Sequence, residues 1–137
     1  TSFEQGAMAE PVACCLHGID MCRIQPGSQA VVIGGGMIGL LMLQLAKLEG
    51  AAKVALLEPV EEKRLVAAKL GADVCIDPLQ EDVKEQLHKA GFTWVNTVIE
   101  CVGRPATITG HRHRREQGGG DDVRPDEAGR DHCGEAL

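Results

Sequence analysis

Residues 29–58 read QAVVIGGGMIGLLMLQLAKLEGAAKVALLE, and the fold of the chain turns on this stretch. Ala30 to Ile33 form a short apolar run, followed by a cluster of three glycines. From Met37 a helical apolar face runs through Ile38, Leu41, Met42, Leu45 and Leu48. Leu40 and Leu43 widen that face, so the helix expects burial against both a sheet and a neighbour. Gly50 is placed to stop it. A second apolar run, Lys53 to Leu57, then ends on Glu58. Gly34, Gly36 and Gly39 fit G-x-G-x-x-G between a predicted strand and a predicted helix. Gly34 lets the chain turn sharply, Gly36 lets backbone approach a pyrophosphate, and Gly39 lets the helix pack close to the sheet. The N–H groups at Met37 and Ile38, at the positive end of the helix, would face the phosphates. Glu58, nineteen residues after Gly39, stands where a carboxylate can accept from both ribose hydroxyls. A plain βα turn is the alternative, since glycine-rich turns recur in loops. Strand, helix, second strand and acid in register favour a dinucleotide.

Downstream the alternation continues. A helix is predicted over Glu61 to Leu70 with Leu65, Val66 and Leu70 inward, closed by Gly71. A strand over Asp73 to Ile76 and the Asp77-Pro78 break follow, then an amphipathic helix over Leu79 to Ala90 with Val83 and Leu87 inward. Gly91 stops it, and a fourth strand, Trp94 to Glu100, leads into Cys101-Val102-Gly103. Such alternation implies right-handed crossovers and a doubly wound parallel sheet, with ligands at the strands' carboxyl ends. Gly34, Glu58, Asp77 and Glu100 all fall there. Upstream, Ser2 can cap a helix beginning near Phe3, and Pro11 should end, restart or kink the helical pattern near Glu10. Pro26-Gly27 turns the chain into the first strand.

The net charge of −6 and the lack of a basic stripe argue against a nucleic-acid partner. No apolar run reaches the length of a membrane span and no signal peptide is evident. The six cysteines lack the spacing of a small disulfide scaffold, which points to reduced, mostly buried thiols and a cytoplasmic location. The chain begins at Thr1, so a preceding segment is expected. From Ile108 to Leu137 twelve of thirty residues are charged and six are hydrophobic, with no strand or helix period, which reads as disorder.

The segments FEQGAMAEPVACCLHG, QPGSQAVVIGGGMIG, EPVEEKRLVAAKLGAD and VIECVG together resemble the zinc-type medium-chain alcohol and polyol dehydrogenases, from about Ser2 to Ile108. The sorbitol, butanediol and threonine dehydrogenase branch is the nearest in pattern. The resemblance implies oxidation of a secondary alcohol, polyol or hydroxy amino acid by hydride transfer to a nicotinamide, with zinc polarising the alkoxide oxygen. It assigns the pyrophosphate to Gly34–Gly39, the adenosine ribose to Glu58 with Lys63 as helper, and the nicotinamide half to Val102 and Gly103. It also brings the glutamate of the Glu10-Pro11 pair toward the catalytic zinc; the bland reading of Glu10 is a surface acid. NAD is expected rather than NADP, because Glu58 would repel a 2′-phosphate. The family's zinc half, with its cysteine and Gly-His-Glu motif, is not present in this sequence, so the chain alone is expected to be inactive, with zinc only in a longer parent. No residue of this chain is expected to be catalytic. That parent is expected to act on a small-molecule alcohol and to be a homo-oligomer. Read one base later, with suitable third bases, residues 109 onward can spell QAIDIAGNKAVVMMFGLTKPDETIVAKL, which would continue the family pattern. A slip of reading frame after Ile108 is therefore expected, with a divergent tail as the alternative.

The expected architecture is an α/β, Rossmann-type doubly wound parallel sheet, truncated to about four strands, with an irregular C-terminal tail. Residues 1–28 lead in, 29–107 form the cofactor domain, and 108–137 are atypical. A non-catalytic dinucleotide-binding remnant is the competing function, and a flavin- or S-adenosylmethionine-binding domain is a third. Cys14, Cys15, His17 and Cys22 imitate a metal site without a second ligand pair at zinc spacing, and core cysteines are the simpler reading. His111, His113, His132 and Cys133 lie in the suspect tail. Cys101 has no partner histidine near it and reads as packing, and Glu100 reads as a strand-end structural acid.

Overall fold

The computed structural model describes residues 2–103, so the expectations for the tail lie outside the described residues. Two helices, α1 (Phe3–Ala7) and α2 (Ala9–Cys22), lead into β1 (Gln29–Ile33), α3 (Met37–Leu48), β2 (Lys53–Leu57), α4 (Glu61–Lys69), β3 (Val74–Ile76), α5 (Val83–Lys89) and β4 (Thr97–Glu100). The four strands make one parallel sheet in the order β3-β2-β1-β4. β1 therefore pairs on both sides, Ala30 with Val54 and with Thr97. The winding reverses between β1 and β4, where an open α/β sheet forms its crevice. The expected fold class is borne out.

A strand buried on both faces needs a continuous apolar run, and β1 supplies one. Its alternate residues feed two cores. Ala30 and Val32 pack with Val54, Leu56 and Ile99 beneath Cys15 and Ile19 of α2 and Met42, Leu43 and Ala46 of α3. Val31 and Ile33 pack with Ala55, Leu57 and Ile76 beneath Val83 and Phe92. The period of two along the strands separates these clusters onto opposite faces of the sheet. The broad apolar face of α3 thus meets both the partners it expected, the sheet and α2.

Several boundaries differ from the sequence reading, each for a local reason. Ser2 caps α1 in a reciprocal box with Gln5, as expected. The break comes at Met8, two residues before Glu10, and Pro11 sits in the first turn of α2, where a missing N–H costs nothing. α5 starts at Val83 rather than Leu79, because the Asp82 carboxylate accepts from the Glu85 N–H at 2.9 Å and fixes the start there. β4 starts at Thr97 rather than Trp94. The side chain of Gln29 accepts from the Thr93 and Trp94 N–H groups, and Asn96 accepts from the Gln29 N–H, so side chains take the place of a ladder. β3 starts at Val74 rather than Asp73, whose carboxylate accepts from the Val54 N–H and pairs with Lys47, each at 2.6 Å.

α4 presents a different face from the one expected. Leu65, Val66 and Leu70 are exposed, and Ala67 is the buried residue. Arg64 shares the inward face with Ala67 one turn on. Its guanidinium donates to the carbonyls of Glu58 (2.8 Å) and Pro59 (2.6 Å), which sets the phase of the helix. Cys14, Cys15, Cys75 and Cys101 are free thiols. Among the described residues no helix is long and apolar enough to cross a membrane.

Candidate dinucleotide site

The glycine turn joins the end of β1 to the start of α3, at the carboxyl edge of the sheet. Gly34 donates to the Leu57 carbonyl at 2.9 Å and takes φ 99°, a conformation that side chains rarely adopt. A methyl group on it would also lie 2.7 Å from Cγ2 of Val102. Gly39, one turn into α3, faces back on the turn. A methyl group there would overlap the Gly34 carbonyl oxygen and approach its carbon to 2.9 Å. Gly36 differs from both. It is exposed, has ordinary extended backbone (φ −75°, ψ −176°), and a methyl group on it would meet open space. The turn role read for Gly34 and the packing role read for Gly39 fit these surroundings, and Gly36 leaves open space beside its backbone.

Gly36 is also the N-cap of α3 and can offer no side chain to its first amides. No acid stands in the first turn of α3, whereas α1, α2, α4 and α5 each carry one or more. The amides at Met37 and Ile38 are thus without a side-chain cap at the positive end of a twelve-residue helix. This arrangement suits an anion. Space beside Gly36 admits the group, and the uncapped amides can donate to it.

Glu58 follows β2 and is only 5% exposed. Its Oε2 accepts from the Gly35 N–H at 2.6 Å, and its Oε1 accepts from the Val60 N–H at 2.9 Å. The half-exposed Lys63 ammonium lies 3.9 Å from Oε2 and screens the acid from outside. The carboxylate therefore ties the glycine turn to the loop after β2. Gly35 belongs to this contact: a methyl on it would stand 3.0 Å from Cγ of Glu58 and 3.2 Å from Cβ of Lys63. The motif reading passed over Gly35, because G-x-G-x-x-G leaves that position free. Its signal was the unbroken triplet of glycines.

Asp77 was read only as a residue at the carboxyl end of the third strand, and its pairing with Arg64 escaped the sequence reading. Arg64 ties the end of β2 down and stands 3.6 Å from Asp77, a nearly buried acid at the end of β3. Asp77 in turn accepts from the Leu79 N–H. On the other side of the crevice, Glu100 accepts from the N–H groups of Val102 (2.8 Å) and Gly103 (3.1 Å), so its strand-end role is structural, as read. A methyl group on Gly34 would meet Val102, so the turn after β4 lies against the glycine turn, while Glu58 with Lys63 meets it from the β2 side.

Cys101 packs behind the turn, with Cβ 3.6 Å from a methyl group built on Gly39. Burial, the Glu100 charge and Cys15 push its thiol from 9.0 up to about 12. The proton held more tightly in the folded state contributes stability that is complete below pH 9.0 and lost as pH rises toward about 12. The urea midpoint should therefore fall across that window, and fall less in Cys101→Ala. Equal falls in both proteins would show that the thiol has no part in it.

The zinc reading finds no ligand set here. Glu10 is exposed in the first turn of α2, and among the described residues no group of three or more histidine, cysteine or acid side chains could hold a metal. Cys14 is half-buried and His17 exposed, without a third ligand beside them among the described residues. The four histidine and cysteine positions of the tail lie outside the described residues.

Comparison with known proteins agrees with this geometry. The family model described as zinc-binding dehydrogenase matches residues 37–111. Scyllo-inosose 3-dehydrogenase of Thermotoga maritima is 40% identical over 77% of this chain and 28% of its own length. A zinc-binding dehydrogenase from Sinorhizobium meliloti, solved bound to NADP, is 42% identical with a TM-score of 0.66, over 72% of this chain and 30% of that one. The crystal structure of 2R,3R-butanediol dehydrogenase from Bacillus subtilis is 34% identical with a TM-score of 0.68, over 78% and 31%. The chain thus spans less than a third of these relatives. With more than half of its residues under the family model, and its glycine turn built as described, this chain belongs to the zinc-binding dehydrogenase family.

Proposed function

We propose that residues 29–103 form the NAD-binding part of a dehydrogenase that oxidises a secondary alcohol or polyol. The observation that carries this is the uncapped start of α3, open beside Gly36 at the switch point of a parallel sheet. Gly34, Gly36, Met37, Ile38 and Gly39 would hold the pyrophosphate. Glu58 would receive the adenosine ribose with Lys63 beside it, and Val102 and Gly103 would face the nicotinamide half. Bound NAD supplies a hydride acceptor for the carbinol carbon. The names of the relatives support a polyol or diol substrate. The remaining zinc ligands would come from outside the described residues, with Glu10 as the one acid of this chain assigned toward that metal by resemblance. The purified chain given zinc, NAD and a panel of secondary alcohols should accordingly show no turnover above blank.

Cofactor choice tests the assignment. The Glu58 charge would oppose a 2′-phosphate, while Arg64 is spent on the carbonyls of Glu58 and Pro59 and on Asp77. Only Lys63 remains to soften the preference. NAD should bind about tenfold more tightly than NADP, roughly 1.4 kcal/mol. Glu58→Ala should narrow that ratio in a calorimetric titration. An unchanged ratio removes Glu58 from the ribose.

A further inference from the structure

We infer that Glu100 is a positioning residue for the nicotinamide-side wall of the crevice, an inference that rests on the dinucleotide reading above. After β4 the backbone turns at Cys101-Val102-Gly103, and every N–H of that turn is taken. Cys101 donates to the Ile33 carbonyl at 2.9 Å. Val102 and Gly103 both donate to the Glu100 carboxylate. One side chain therefore satisfies two consecutive amides, and charged acceptors make the stronger hydrogen bonds.

Two consequences follow from that arrangement. The turn has no donor left for a ligand, so what it presents to the crevice is the half-exposed Val102 side chain and the open Cα of Gly103. Val102 is also held against Gly34, where a single methyl group would bring Cβ and Cγ2 to 2.7 Å. Glu100 thereby sets the distance between the turn after β4 and the turn after β1. Without its carboxylate, the Val102 and Gly103 amides would seek water, and the wall would move away from Gly34.

The effect should be confined to the half of the ligand that reaches β4. ADP occupies only the glycine turn and the Glu58 side, whereas NAD extends across to Val102. In the purified full chain, Glu100→Ala should weaken NAD about tenfold while changing ADP by less than about twofold. Glu100→Gln, which keeps one acceptor oxygen, should restore most of the NAD affinity. Val102→Ala, which leaves Glu100 intact, should reproduce the selective loss of NAD. Thermal melts with ADP bound report whether each variant is folded. Parallel loss of ADP and NAD, or no loss of either, overturns the positioning role. A wild-type chain that binds neither ligand overturns the dinucleotide reading, and this inference with it.

Discussion

Gly39→Ala should cost the folded chain upwards of about 3 kcal/mol, a large share of the stability of a domain this size. The added methyl group would overlap the Gly34 carbonyl oxygen, and neither partner can yield cheaply. Gly39 is fixed by helix α3, whose Met42, Leu43 and Ala46 are locked in the core. Gly34 is fixed by its bond to the Leu57 carbonyl and by Val102 on its other side. Relief would require α3 to lift off the sheet, exposing the apolar surface that holds it there. Urea unfolding followed by circular dichroism reads this directly. A midpoint close to that of the wild-type chain would mean that helix and sheet are not held as tightly as this geometry requires.

Gly36→Ser should do the opposite, three residues away. Its backbone is ordinary for any residue and a side chain there meets open space, so stability should stay within about 0.5 kcal/mol of wild type. The hydroxyl can cap the first turn of α3, which has no side-chain cap at present. It would then occupy both the space and the amides that a pyrophosphate needs. Dinucleotide affinity should fall about a hundredfold, roughly 2.7 kcal/mol. A serine variant that binds NAD as wild type does would move the phosphates away from this turn. Read together, the two substitutions separate a glycine required by packing from a glycine required by a ligand.

The packing role of Gly39 was legible in the sequence because it depends on spacing along one strand, one turn and one helix, and the ligand role proposed for Gly36 was read from the same spacing. The four strands and helix α3 were legible for the same reason, since apolar periodicity reports burial locally, whereas α4 was legible as a helix but not in its buried face. What escaped depends on side chains meeting backbone from elsewhere in the chain. The phase of α4 is set by Arg64 reaching two carbonyls, which an apolar count reads as a surface cation. The late start of β4 is set by Gln29, more than sixty residues upstream. Gly35 looked like spacer until Glu58 was seen folded against it. In each case a polar side chain fixed the backbone, and no periodicity marks such a side chain.

β1 and β2 are the inner strands of the described sheet, and the second neighbour of β1, β4, returns from far along the chain. That has a consequence for the order of folding. Pairing β1 with β2 closes a short loop, whereas pairing β1 with β4 must close one roughly three times longer, at a greater cost in chain entropy. A chain that has assembled β1, α3 and β2 already owns its glycine turn. It gains the opposite wall only when β4 docks and brings Val102 to Gly34. Ligand that bridges both walls will therefore slow the undocking of β4, and exchange protection of the β4 amides becomes a clock for occupancy of the crevice.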